Sequence, residues 1–411
     1  MNERILLCLC HMSGKEMDFI NEAFADNWVL PLGPNVNGFE KDLERFFISV
    51  DAESKKTATS VQASDFKVSH DAALFEEKRI VALSAGTAAI HLGLVALGVG
   101  HGDEVMVQSF TFSASANPVT YVGATPVFVD SEPDTWNMDP ILLDEAIADR
   151  IAKTGKKPKA IIPVYLYGMP AKIDDILAVA AKWEIPVLED SAEAFGSRYK
   201  GQYCGTFGRY GVLSFNGNKM ITTSGGGALV CPDEDTAKLV TSYATQSREP
   251  YPWYQHERIG YNYRLSNISA GIGRGQMTIV DEHLAHHRHV QELYRKLFAD
   301  VPGIELHDNP GSEFDSNFWL CAITFGKDLK VKGDDGCGRP EAMRRMMEKE
   351  NIETRHLWKP MHLQPVFAGC PSYVNGVSED LFSRGLCIPA GPYVGDAEVH
   401  RIVDAIKSGI E

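Results

Sequence analysis

The sequence predicts an α/β protein: a mostly parallel sheet covered by helices on both faces, followed by a smaller α+β domain. Three observations predict it. From Arg79 to Asp190 short apolar runs alternate with segments of helical period. Those runs are continuously apolar without polar alternation, as strands buried on both sides require. The pattern changes near residue 280. With 411 residues the chain exceeds one average domain, and the division predicted is 1–280 and 281–411.

The elements follow in order. The opening run "ILLCLC" is too short and too soon followed by charge to be a signal-peptide core, so it reads as an ordered segment of the mature protein. The stretch 49–75, rich in Ser, Thr, Lys and Ala, reads as a surface insertion. Strand and helix then pair off: "RIVAL" with "TAAIHLGLVALG", "EVMVQ" with "SASANPVTYVG", "TPVFVD" with "DPILLDEAIADRIAK", and "AIIPVYLYG" with "AKIDDILAVAAKW", before "IPVLED". In the helix after Thr87, Ala89, Ile90, Leu94 and Leu97 share one face, and Gly98 and Gly100 end it. Beyond residue 280 come the helical "DEHLAHHRHVQELYRKLFADV", the strand-like "NFWLCAITF", a helix "PEAMRRMMEKEN" and the proline-rich "LWKPMHLQPVF".

Composition narrows the function. Hydrophobic residues make up 44% and charged residues 23%, and no apolar run is long enough to span a bilayer, so a cytoplasmic protein without a membrane partner is expected. A formal charge of −15 argues against a nucleic-acid ligand. An anionic substrate would have to be held by local cations and backbone N–H groups. The eight cysteines include no Cys-x-x-Cys pair and read as buried or idle thiols. "GVGHG" at 98–102 follows a helix, where a dinucleotide fingerprint follows a strand. His283 and His287 have i, i+4 spacing, but without a suitably placed Glu they read as a solvated helix face, and no metal site is expected.

Four segments stand at the carboxyl ends of predicted strands, where sites form in open α/β sheets: "SAGT" (84–87), "SFTF" (109–112), "EDSAEAFG" (189–196) and "SFNGNK" (214–219). Lys219 alone fits a solvated charge. Enclosed beside a strand end it fits a reactive amine, with Ser214 before it and Gly225, Gly226 and Gly227 after it allowing close packing around a planar ligand. Asp190 fits a turn former, or the ion-pair partner of a cofactor ring nitrogen. Gly86 and Thr87 open a helix whose N–H groups suit a phosphate, although simple capping by Thr87 would look alike. Phe110 and Phe112 fit the core, or one of them fits a stacking role on a heteroaromatic ring.

Taken in order, "SAGTAAIHL", "SFTFSASAN", "GATPVFVD", "EDSAEAFGS", "SFNGNKMITTSGGGALV" and "IGYNYRLSNISAGIGRGQM" resemble the DegT/DnrJ/EryC1/StrS family of pyridoxal-phosphate sugar aminotransferases over nearly the whole chain. "PLGPNVNGFE", "IGYNYRLSN" and "LWKPMHLQPVF" are similar to the subgroup acting on UDP-linked 4-keto-6-deoxy-N-acetylhexosamines, the bacillosamine and exopolysaccharide type. The resemblance implies the fold type I of aspartate aminotransferase and a homodimer with shared active sites. It implies pyridoxal 5'-phosphate, with Lys219 forming the Schiff base and Asp190 contacting the pyridinium. Gly86, Thr87 and Ser214 would hold the phosphate, Phe112 would stack on the ring, and Asn262 would reach the phosphate of the neighbouring subunit. Glu193 stands where many relatives carry His or Gln against the ring hydroxyl, and "CLCHMSG" stands where the subgroup has a Ser-Pro-Pro run. The 49–75 stretch is longer than the family's link.

The reaction so implied moves an amino group from an amino acid, glutamate by analogy, to the C4 ketone of a nucleotide-linked sugar. His362 and Lys359 are candidate contacts to the sugar or diphosphate, with a structural hydrogen bond the alternative for His362. Competing readings are amination of a 3-keto nucleotide sugar or a cyclitol, and a noncatalytic regulator that binds the same cofactor.

Overall fold

A computed structural model describes residues 3–49 and 77–411, so the predicted 49–75 insertion falls, but for Ser49, outside the described residues. The first strands are β1 (Arg79–Leu83), β2 (Glu104–Gln108), β3 (Thr125–Val129), β4 (Ala160–Ile162) and β5 (Leu188–Asp190). A small hairpin, β6 (Arg198–Tyr199) and β7 (Gln202–Tyr203), precedes β8 (Tyr210–Ser214) and β9 (Gly227–Cys231). The C-terminal strands are β10 (Ile304–Leu306), β11 (Phe314–Asp315), β12 (Cys321–Phe325), β13 (Arg355–His356), β14 (Ser372–Tyr373) and β15 (Gly385–Ile388).

Two ladders, β1-β9-β8-β5 and β14-β3-β2-β4, meet through parallel bridges at Ile161–Val187 and Val164–Asp190, which makes one continuous twisted layer. Only β9 runs against its neighbours. Among the described residues no helix lies between β8 and β9 to carry the chain back across the sheet as a parallel crossover does, and β9 returns antiparallel beside β8. Along β2 the side chains alternate between two cores. Val105 and Val107 pack with Leu92 of the helix Gly86–Ala96, while Met106 packs with Leu143 and Ile173 of the helices Pro140–Thr154 and Ile173–Trp183. Helices therefore cover both faces, which is why these strands are apolar throughout.

Some elements depart from the sequence expectation for visible reasons. "AIIPVYLYG" is strand only to Ile162, because Pro163 has no N–H to extend the ladder; its carbonyl instead accepts from Asp190 N at 2.9 Å. "SASANPVTYVG" forms a 3₁₀ turn, Ser113–Ser115, and the short helix Asn117–Tyr121. The helix Gly86–Ala96 is buried almost all round, since it lies between the sheet and the helices Asn117–Tyr121 and Glu234–Ala244. Gly98, at φ +68°, ends it as expected.

The C-terminal sheet is fully antiparallel in the order β10-β12-β15-β13. Tyr294 of the helix Val280–Phe298, Met343 of Arg339–Lys349 and Ile402 of Asp396–Ser408 share its core. Several crossings tie this region to the rest of the chain, among them the antiparallel pairing of β11 with β6. Ile5 joins the C-terminal core, and β14 returns to pair beside β3.

Candidate active site

The four strand-end segments converge on one cavity of about 410 Å³. Ser84 to Thr87 line it after β1, Thr111, Phe112 and Ser115 after β2, Asp190 and Glu193 at the end of β5, and Ser214 and Lys219 after β8. Trp319 and Trp358 close it from the C-terminal region. Its size lies within the roughly 300–1,000 Å³ range of small-molecule sites.

Lys219 is held inside. Its backbone N–H closes a turn on Asn216 O at 3.0 Å, and its side chain is only 14% exposed. Nζ lies 3.5 Å from Glu193 Oε1 and 3.9 Å from the centre of the Trp319 indole. The surface-charge alternative for this residue is thereby excluded. At an effective dielectric of ~20 the Glu193 attraction is worth about 5 kcal/mol before desolvation, which cancels much of it. Tyr167 N donates to the other Glu193 oxygen at 2.7 Å, fixing the carboxylate. Burial pushes the Glu193 proton affinity up, and the Lys219 charge opposes it.

Asp190 is buried at the end of β5. Ser115 Oγ donates to Oδ2 at 2.6 Å and Ala192 N to Oδ1 at 3.1 Å, while Ser115 Oγ also meets Thr111 Oγ1 at 2.7 Å. One oxygen thus does serve a turn, and both face donors that favour the ionised form. Burial still holds the proton affinity above the ordinary carboxylate value, with the Ser115 hydroxyl the main opposing influence.

The helix Gly86–Ala96 begins at the cavity wall without a side-chain cap, because its N-cap is Ala85. Thr87 is its second residue and caps nothing. The first N–H groups are accordingly left for an outside acceptor, as a bound anion supplies. A Cβ on Gly86 would lie 3.2 Å from Ser214 Cβ, so Gly86 and Ser214 are brought into contact across the cradle. Gly225 and Gly226 line the cavity, as expected of residues that let a ligand approach closely, and the chain's own packing adds a second demand. A Cβ on Gly227 would meet Gly86 N at 2.4 Å, and one on Gly226 would meet Thr223 Oγ1 at 2.1 Å, so both are demanded by the chain itself. Gly225 faces open space.

The two phenylalanines separate cleanly. Phe110 is fully buried core, whereas Phe112 is 55% exposed at the cavity mouth, with its ring centre 5.8 Å from that of Trp358. Asn262 lies outside this cavity on an exposed stretch bridged to Thr245. Lys359 is exposed and lines no part of it. His362 is also outside, and both its ring nitrogens are engaged: Nδ1 with Ser109 Oγ at 2.6 Å, Nε2 with Glu379 at 3.1 Å.

The histidine helix corrects another expectation. His283 and His287 face inward, their Nδ1 atoms meeting Met220 O and Phe318 O at 3.1 and 3.0 Å, and burial lowers the His287 pKa to about 3. Among the described residues no group of three or more potential ligands forms a metal cluster. A second cavity, about 500 Å³, is lined by Trp136 stacked on His307 and by acids already paired: Asp134 with Lys172, Asp308 with Arg295 and Asp380 with Arg384. It contains no amine comparable to Lys219.

Sequence reasoning missed Trp319, Trp358 and Ser115. The first two come from "NFWLCAITF" and "LWKPMHLQPVF", read as strand and proline-rich loop. No local sequence pattern marks either tryptophan as lining a site; the left-handed backbone at Phe318, φ +49°, is visible only in the structure.

Comparison with known proteins bears on this geometry. The profile of the DegT/DnrJ/EryC1/StrS aminotransferase family matches residues 70–407. EpsN of Bacillus subtilis (strain 168), named provisionally as a pyridoxal phosphate-dependent aminotransferase, is 42% identical over 99% of this chain and 96% of its own. GDP-perosamine synthase of Escherichia coli O157:H7 is 32% identical, covering 96% of each. The UDP-2-acetamido-2-deoxy-3-oxo-D-glucuronate aminotransferase of Pseudomonas aeruginosa is 31% identical over 80% of this chain and 86% of its own. The crystal structure of a DegT/DnrJ/EryC1/StrS aminotransferase from Brucella abortus superposes with a TM-score of 0.82 at 28% identity, covering 96% and 95%. The cavity fits the cofactor these enzymes use, offering an enclosed amine, a buried acid, aromatic walls and an uncapped helix terminus. The chain belongs to the DegT/DnrJ/EryC1/StrS aminotransferase family and is a pyridoxal phosphate-dependent aminotransferase of fold type I.

Proposed function

We propose that the enzyme transfers the amino group of an amino acid, glutamate, to the C4 ketone of a nucleotide-linked 4-keto-6-deoxy sugar, a UDP-linked N-acetylhexosamine. The observation that carries the reading is Lys219, enclosed between Glu193 and Trp319 in the cavity that also holds Asp190. Gly86, Thr87 and Ser214 would bind the phosphate, Asp190 the ring nitrogen, Glu193 the ring hydroxyl and Phe112 the ring face. When bound, pyridoxal 5'-phosphate supplies an aldehyde that captures amines and a ring that accepts the electron pair left by proton removal.

The chain's own residues do the rest. Lys219 Nζ, once released, takes the proton from the donor's Cα and returns one to the carbon of the incoming sugar, so a single base serves both halves of the reaction. Asp190, kept ionised by Ser115 and Ala192 when a cation faces it, holds the ring nitrogen protonated. Trp319 excludes water from the amine. Exposed apolar residues on the arm, Phe24, Trp28 and Leu32, and on the 251–259 segment, Tyr251, Trp253 and Tyr254, support a homodimer in which Asn262 serves the neighbouring site. A cytoplasmic enzyme belongs to the same reading; among the described residues no helix is long and apolar enough to cross a membrane.

The Pseudomonas relative is named for a 3-oxo sugar, which favours a second reading, amination at C3. Incubation with glutamate and a panel of UDP-, GDP- and dTDP-linked 3-keto and 4-keto sugars, with products identified by mass and NMR, separates the two. Product from 3-keto substrates alone would replace the first reading by the second, and no aminated sugar from any would remove both. Borohydride reduction of the cofactor-loaded protein should tag Lys219, and Lys219→Ala should bind the cofactor noncovalently without turnover.

A further inference from the structure

We infer that Cys10 is a positioning residue for Lys219, and that the N-terminal arm carrying Cys8 and Cys10 forms part of the mount on which the reactive amine is set. The inference rests on the assignment of Lys219 made above. Three successive carbonyls around that lysine are each held by a donor from a distant segment. Asn218 O accepts from Cys8 Sγ at 3.3 Å and from Trp319 Nε1 at 2.6 Å. Cys10 Sγ is seated directly against Lys219 O, the acceptor it faces, and Met220 O pairs with His283 Nδ1 at 3.1 Å. Among the described residues Cys10 is the one side chain that meets the lysine's own carbonyl.

The arm is pinned on both sides of the two thiols. Before them, Ile5 bridges Ile352, Leu7 N donates to Glu353 Oε2 at 3.1 Å, and Leu7 O accepts from Ala390 N at 2.9 Å. After them, Gln276 Nε2 donates to His11 O at 2.9 Å. Gly391 is needed for this path, because a Cβ there would lie 2.9 Å from Leu9 N and 3.0 Å from Cys8 Cα. Burial pushes both thiols up to about 12, so they persist as S–H donors rather than as nucleophiles. A carbonyl stripped of its donor in such a place tilts to find another, and the lysine's Cα–Cβ direction turns with it.

The test compares Cys10→Ala with Cys10→Ser in protein reconstituted with pyridoxal 5'-phosphate. Two quantities are read: kcat, and the pH midpoint at which the visible band of the lysine-bound cofactor titrates. Alanine should lower kcat roughly two- to tenfold, the range that loss of one neutral hydrogen bond supports, and should displace the midpoint. Serine, which keeps a donor, should return both toward the parent. A parent-like midpoint and kcat in the alanine variant, or a loss that serine does not repair, would overturn the inference. Should Cys10→Ala not fold, Cys8→Ala carries the test with a smaller midpoint shift expected, and an unshifted midpoint counts against it. If borohydride tags a residue other than 219 in the parent, the assignment of the amine itself has failed; if it tags 219 and the cysteine variants match the parent, only the mount has.

Discussion

Gly227→Ala should damage both the fold and cofactor binding. The added methyl would sit 2.4 Å from Gly86 N, 2.5 Å from Ala85 C and 2.8 Å from Ala85 O, all backbone atoms. Ordinary contact between carbons begins near 3.5 Å, so a displacement of about 1 Å is required. The strand cannot yield easily, since Gly227 is in register with Leu83 of β1 and Ser214 of β8. The helix N-terminus at Gly86 must move instead. Overpacking of this kind costs about 1–3 kcal/mol, and a ~1 Å shift of positioned groups costs on the order of a hundredfold in their function. Urea melts of the apoprotein give the first figure, and absorbance titration with pyridoxal 5'-phosphate gives the second. Gly225→Ala is the internal control, because its Cβ meets nothing within 4 Å and the melt should barely change. Stability within about 0.5 kcal/mol of the parent and unaltered cofactor affinity in Gly227→Ala would refute the packing argument.

Other outcomes follow from the site. Asp190→Asn should abolish turnover yet flatten the pH dependence of apoprotein stability: burial raises the folded-state pKa, so the carboxyl's contribution is full below its ordinary value near pH ~4 and is lost as pH rises through the raised one. Thermal melts between about pH 4 and 8 should show a smaller decline in the variant than in the parent, and a steeper one contradicts the sign. Glu193→Gln removes a negative charge 3.5 Å from Nζ while keeping an acceptor for Tyr167 N, so the pH midpoint of the lysine-bound cofactor band should fall; a rise would count against the pairing. Trp319→Phe keeps a ring beneath Nζ but drops the N–H to Asn218 O, which should lower apoprotein stability in urea melts by about 0.5–1.5 kcal/mol. No measurable change would place that donor's worth with Cys8.

Much of the fold was legible because strands buried on both faces have little freedom in composition. "RIVAL" and "EVMVQ" are strands over their whole length. The site was legible where it depends on position along one strand, as at Asp190, Ser214 and Lys219, which the cavity gathers as their placement at strand ends implied. It was illegible where it depends on what packs from afar. No local pattern says that Trp319 and Trp358 arrive from the C-terminal region, or that His283 and His287 turn inward to satisfy carbonyls. The glycine run shows the same limit. Its sequence announces close approach, but only the placement of Ala85 and Gly86 says that the approaching partner is the chain's own backbone.

The reversed strand β9 has one more effect. Because β8 and β9 are hydrogen-bonded neighbours, the turn bearing Lys219 begins and ends in the same sheet that supplies Asp190. Amine and acid are thus fastened to a common floor, whereas the indoles of Trp319 and Trp358 hang from the C-terminal region like a roof. That roof is itself fastened to the floor where Trp319 Nε1 donates to Asn218 O at 2.6 Å beside Lys219, so what covers the cavity and what carries the amine are coupled through one indole.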